Sequence, residues 1–305
     1  MMTKVKFILK HSLIIGIIFF ILRTLYLGYG DIQQFTLSFS PLPLILSFLL
    51  SVVSFVAPTM VWQILLKSQG YKNLDFFKAY SIWFYSFMGR YIPAKVTTIV
   101  LRAQLAKEHN ISANITSRIA IIEVMFFISA AIFIAMPVQV KNYTGLLLPV
   151  IILLLTIVSS IFLLKNATFI DIIGKVIPPL KHLKPISISP GVILKVFFLY
   201  IIYWILIGGT LVAFLYSFIH VNIADIYRIV SAYALAHIGG LIAIFAPSGI
   251  GVRELALAEM LQPVYGRETA YIISVGARIW STICEVLIFF MLYVLSRLHR
   301  SKEKS

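Results

Sequence analysis

The chain has 305 residues, 60% of them hydrophobic and 12% charged, with 26 lysines and arginines against 11 aspartates and glutamates. Soluble domains hold about 45–50% apolar and about 25% charged residues, so this composition excludes a soluble globular protein and fits a polytopic membrane protein. It also excludes a nucleic-acid-binding module, which needs a long basic soluble segment, and the single Cys284 excludes an intrachain disulfide framework or cysteine-based metal site.

In chain order, Lys4, Lys6 and Lys10 precede an apolar run from Ser12 to Leu22, and no small-residue cleavage site follows. Arg23, Tyr26 and Tyr29 then read as interfacial anchors, which predicts an uncleaved first spanning helix over 5–27. A spanning helix takes about 20 apolar residues, and further spans are predicted over 43–66, 113–136, 144–164, 192–219 and 268–296. Two more apolar stretches, 76–92 and 226–246, end in proline or glycine breaks. The first break, Gly89-Arg90-Tyr91-Ile92-Pro93-Ala94-Lys95, leads into a mixed-polarity segment from Val96 to Lys107. The second, Ala246-Pro247-Ser248-Gly249-Ile250-Gly251, leads into one from Val252 to Leu261. Broken helices survive at membrane depth only where protein or a wet cavity satisfies the freed backbone groups.

Positive charges discriminate between two topologies. With both broken stretches as ordinary crossings there are eight spans, and 12 of the 26 lysines and arginines fall inside, which is no bias. With each doubling back as a re-entrant hairpin there are six full spans, and 20 of the 26 fall inside, the expected positive-inside pattern. The preferred fold is therefore an all-α polytopic membrane protein of six spans and two broken-helix hairpins, with eight spans as the alternative. The hairpins then enter from opposite sides, so the halves are predicted to be inverted repeats. Ser117-Arg118-Ile119-Ala120 with Glu123, echoed by Ala277-Arg278-Ile279-Trp280 with Glu285, supports a duplication. The predicted organisation is a first repeat over 1–164 with its hairpin near 76–107, and a proline-bearing cytoplasmic linker over 165–191. A second repeat follows over 192–296 with its hairpin near 226–263, and then a basic cytoplasmic tail over 297–305.

Ionisable residues within a membrane are costly enough to mark candidate sites. In the second break, glycines let backbone approach a ligand, and a helix N-terminus offers free N–H groups to an anion. Gly249, Gly251 and Arg253, a bidentate phosphate donor, are the predicted substrate-binding residues there. Arg90, Lys95 and Arg102 around Pro93 are their counterparts in the first, although flanking positive-inside charges would give the same pattern. Glu123 and Glu285 lie deep in apolar helices and must be paired or protonated, and Arg278, two turns before Glu285, is its expected partner. With Glu254 and His237 these residues form a predicted polar network or proton-coupling set, or structural ion pairs. No nucleotide-binding, metalloprotease or serine-hydrolase motif is present, so no metal, cofactor or catalytic residue is assigned.

Gly89-Arg90-Tyr91-Ile92-Pro93 followed by Arg102, together with Ala246-Pro247-Ser248-Gly249-Ile250-Gly251-Val252-Arg253-Glu254, resembles the lysylphosphatidylglycerol synthase transmembrane region, a family of flippase-like membrane proteins. The resemblance covers nearly the whole chain, and the P-x-G-x-G-x-R-E string carries most of it; the first motif has Ala94-Lys95 where a glycine is common. In the best-known members the membrane region adjoins a soluble aminoacyl-transferase domain, which this sequence is read as lacking. The resemblance implies a transporter rather than an enzyme, flipping an anionic lipid or lipid-linked envelope precursor across the cell (inner) membrane with both termini cytoplasmic. Implied partners are an anionic phospholipid or polyprenyl-phosphate-linked substrate, membrane lipids and a separate synthase. The alternative is a membrane-embedded transferase or an accessory subunit of a lipid or envelope-glycan synthesis complex.

Overall fold

The computed structural model describes residues 39–72, 74–91, 97–139, 151, 188–243 and 246–302, and its elements are all helical. The predicted span over 5–27, Pro93, Ala94 and Lys95, and most of the 144–164 span and the 165–191 linker lie outside the described residues.

Helices α1 (Pro41–Ser54) and α2 (Val56–Ser68) form one apolar rod jointed at Phe55. Pro58 accounts for the joint, because proline lacks an N–H and its ring crowds the carbonyl four residues back, that of Ser54. The rod's first half buries Ser47, Ser51 and Ser54 while exposing Leu42, Ile45, Leu46 and Leu49. In water this pattern would be inside out. In a bilayer it is expected, since lipid solvates the apolar face and small polar residues go to helix interfaces.

Taken as one, α1 and α2 are among four stretches long and apolar enough to cross a membrane: Pro41–Ser68, Ala113–Ala135, Pro190–Tyr216 and Arg267–Leu298. They fall on the predicted spans 43–66, 113–136, 192–219 and 268–296. The last three belong to α5 (Ala113–Gln139), α6 (Pro190–Tyr216) and α9 (Arg267–Lys302).

The two broken stretches stand between them. Helix α3 (Phe76–Met88) is capped by the Asp75 carboxylate, which accepts from Phe77 N at 3.0 Å and Lys78 N at 3.3 Å, and it ends in a 3-10 turn, Gly89–Tyr91. Helix α4 (Thr97–Lys107) packs back against α3. Helix α7 (Ile223–Ile242), capped by Asn222 on Ala224 N at 3.1 Å, leads to a second 3-10 turn, Pro247–Gly249, and α8 (Val252–Tyr265) returns along it. This fold-back is tight. A Cβ on Gly249 would stand 2.6 Å from the Gly240 Cα, and Gly249 has φ +71°, a conformation natural only to glycine. Both breaks therefore double back, the second slightly wider than the predicted 226–263.

Each hairpin is followed by a long helix, α5 after the first and α9 after the second. The first arm of each hairpin lies against the long helix of the other half, α3 on α9 and α7 on α5, and the two 3-10 turns touch. Trp204 of α6 fastens the centre, its indole N–H donating to Phe127 O at 2.9 Å and its ring meeting His237 edge-on at 5.5 Å. This crossed packing brings two breaks, far apart in sequence, to one place.

Candidate functional site

Where the two turns meet, a narrow, partly open cleft with about 20 Å³ of room inside it, enough for little more than a water, lies among α1, α6, α7, α8 and α9. Arg90, Arg253, Glu285 and His237 supply its charged and titratable wall, Ser51, Thr210 and Ser281 its hydroxyl groups, and Tyr203, Tyr233, Trp280 and Phe87 its aromatic surface.

Arg90 sits on the first turn with its guanidinium 4.1 Å over the Phe87 ring. It forms an ion pair with Glu285 of α9, and the neighbouring Tyr91 hydroxyl donates to the other carboxylate oxygen at 2.7 Å. Glu285 thus fastens the first break to the long helix of the other half. Arg253, on the first turn of α8, donates to the Tyr233 hydroxyl at 2.7 Å and lies 5.0 Å from the centre of that ring. It is 5% exposed, and among the described residues no carboxylate pairs with it. His237 Nδ1 lies 2.7 Å from Tyr233 O. A carbonyl only accepts, so Nδ1 carries a hydrogen toward it.

Three sequence expectations are corrected. Arg278 does not partner Glu285; its Nε pairs with Glu254 at 3.4 Å and an Nη donates to Ser248 Oγ at 2.9 Å. Side chains in an α-helix lean toward its N-terminus, so Arg278 leans away from a glutamate two turns downstream and toward the second break. The N-terminus of α8 is partly occupied by the protein itself. The second oxygen of Glu254 accepts the Gly251 N–H at 2.5 Å, so the protein caps that helix with its own carboxylate. Gly249 and Gly251, at φ +71° and +87°, serve the turn itself. Arg102 and Glu123 pair with each other away from the cleft, Arg102 Nε donating to Ser86 Oγ at 3.0 Å with its guanidinium 4.9 Å from the Trp83 ring. That pair joins the first hairpin to α5.

The structure therefore brings Arg90, Arg253, Glu285 and His237 together, sets Glu254 and Arg278 on the second break, and keeps Arg102 and Glu123 apart from them. Lys95 lies outside the described residues. Tyr91, Tyr203, Tyr233 and Trp280 escape the sequence reading, because aromatic residues in such a chain read as interfacial belts, and Ser248 does because it reads as part of the Pro/Gly break. Two signals were available: Tyr91 lies inside the first break, and Tyr233 is one helical turn before His237. Trp280 also ties α9 to α1 and α6, its indole donating to Ser47 Oγ at 2.9 Å while Ser47 donates to Thr210 O at 2.7 Å.

No curated protein and no solved structure shows detectable similarity to the chain. One family model does, over residues 7–288. A hydrophobic helical chain with two touching breaks, the second carrying Pro247-Ser248-Gly249-Ile250-Gly251-Val252-Arg253-Glu254, belongs to the lysylphosphatidylglycerol synthase transmembrane region family, membrane proteins tied to lipid or envelope biosynthesis.

Proposed function

We propose that the chain translocates an anionic lipid or lipid-linked headgroup between leaflets of the cell membrane, with Arg253 meeting the phosphate. One observation carries this reading: a guanidinium almost wholly buried in a cleft wall that, among the described residues, forms an ion pair with no carboxylate. An unpaired buried charge costs several kcal/mol, so a protein keeps one where something else supplies the counter-charge. The cleft walls come from both broken hairpins, the arrangement transporters use to open one site to alternate sides. The substrate is an anionic phospholipid or a polyprenyl-phosphate-linked precursor made by a separate synthase.

The test is reconstitution into liposomes with a head-labelled anionic lipid, following loss of outer-leaflet fluorescence to a membrane-impermeant quencher. Wild-type protein should equilibrate the label between leaflets, Arg253→Ala should not, and Arg253→Lys should recover little because an ammonium lacks the bidentate fork. Full activity in the alanine variant, or no movement by the wild type, refutes the reading.

A further inference from the structure

The buried charges of the described residues can be paired off. At the two breaks and on the helices after them, Arg102, Arg253, Glu123, Glu254 and Glu285 are buried, and Arg90 and Arg278 are partly so and complete their ion pairs. Arg102 takes Glu123, Arg278 takes Glu254, Arg90 takes Glu285, and Arg253 is left over. His237, whose Nδ1 faces Tyr233 O on the wall it shares with Arg90 and Arg253, is taken as the neutral imidazole. The cluster therefore carries an excess of one positive charge.

A phosphate held at Arg253 shares the cleft with one other guanidinium, Arg90, whose side chain is 21% exposed and within a ligand's reach. A doubly charged phosphate would call on both. Arg90 cannot answer fully without leaving Glu285, and a carboxylate 5% exposed would then be stranded without its counter-ion. Stranding one member of a buried pair is the expensive way to break it. The other titratable or charged groups facing Glu285 are Arg90 and Tyr91 from the first turn, Tyr203 from α6, and Tyr233 and His237 from α7. Arg253 of α8 and Cys284 of its own helix complete the set. None is a carboxylate, so Glu285 is the sole anionic group on this wall among the described residues.

We infer that Glu285 sets the valence of the substrate: by occupying Arg90 it fits the site to a headgroup with a single negative charge, a phosphodiester, and against phosphomonoesters and diphosphates. This deepens the proposed function and rests on Arg253 being the anion-binding group.

Two short-chain probes that differ by one charge test it, dihexanoylphosphatidylmethanol and dihexanoylphosphatidic acid. Each is titrated calorimetrically into the purified full chain in neutral detergent at about pH 8, where a phosphomonoester is doubly charged. Dimethyl phosphate and methyl phosphate repeat the comparison without tails, which separates recognition of a lipid from recognition of free phosphate. The wild type should prefer the diester by about tenfold or more, the scale of one uncompensated like-charge contact. Glu285→Gln should free Arg90 and bring the two probes within about threefold of each other. The double variant Arg90→Gln, Glu285→Gln removes one charge of each sign and should prefer the diester again, so that a preference lost in the single variant and regained in the double one traces to the freed Arg90. The double variant is charge-balanced, so it carries the test if the single variant fails to fold. Equal binding of both probes by the wild type, or a double variant that accepts the dianion, overturns the valence rule. If the wild type binds no probe at all, the reading of Arg253 falls first.

Discussion

Glu123→Gln isolates what the Arg102–Glu123 pair does. Both residues are 4% exposed, and removing the charge leaves a buried guanidinium with a neutral amide in place of its counter-ion, beside Ser86 Oγ and the Trp83 ring. Breaking a buried pair from one side costs about 3–5 kcal/mol, and the two remaining partners place this case near about 3. Replacing both residues, Arg102→Met with Glu123→Leu, removes both charges at once and should cost within about 1 kcal/mol. At roughly 2–4 °C per kcal/mol, the single variant should melt about 6–12 °C below the wild type and the double variant within about 4 °C of it. Intrinsic fluorescence during heating, with retention of the monodisperse peak after a heat step, reads both. Since the pair lies off the cleft, the double variant should still move lipid in liposomes. Equal destabilisation by the two variants would refute the stranded-charge argument. A well-folded double variant without transport would return Arg102 to the substrate path.

Gly249→Ala should destabilise by at least about 1–2 kcal/mol, because its Cβ would stand 2.6 Å from Gly240 Cα at φ +71°, whereas Gly276→Ala, meeting only Phe214 Cζ at 3.4 Å, should be close to neutral in the same melts. Spin labels at Lys72 and Gly266 should lie about 40 Å apart if hairpins with arms of 13 and 14 residues enter from opposite sides and meet at their breaks, and about 20 Å or less if they share a side, which pulsed dipolar spectroscopy resolves. Cysteines placed at Lys175 and Ser305 should resist impermeant maleimide added outside intact cells; labelling of either would sink the positive-inside topology.

Much of the fold was legible because lipid imposes a length and a composition on every span. Proline and glycine then punctuate what lies between, so Gly89 to Pro93 and Ala246 to Gly251 announced two breaks before any geometry was known. The pairing of charges was not legible. Arg90 and Glu285 are 195 residues apart, and only the crossing of α3 on α9 makes them partners. The sequence offered Arg278 instead because two turns of one helix look like proximity, and although the lean of helical side chains turns it from Glu285, only the fold-back brings Ser248 and Glu254 to it. Gly251 misled for a similar reason: a glycine before a helix start reads as an open anion site unless the residue three positions on is seen to fill it.

The paired charges also sort themselves by comparison of the two halves. In the first, the returning arm of the hairpin is joined to its long helix by Arg102 and Glu123; in the second, by Glu254 and Arg278. The same joint is made twice with the signs exchanged, so what it requires is a pair across that helix contact and not a particular charge on either side. That is the mark of an architectural contact. Arg90 with Glu285 is different, since it crosses between the halves and lines the cleft. Arg253 differs again, having a tyrosine where Arg90, Arg102 and Arg278 each have a carboxylate. A fold that balances the architectural charges at its two breaks and leaves Arg253 facing a cleft has, among the described residues, confined its electrostatic imbalance there to the place where an anionic headgroup would correct it.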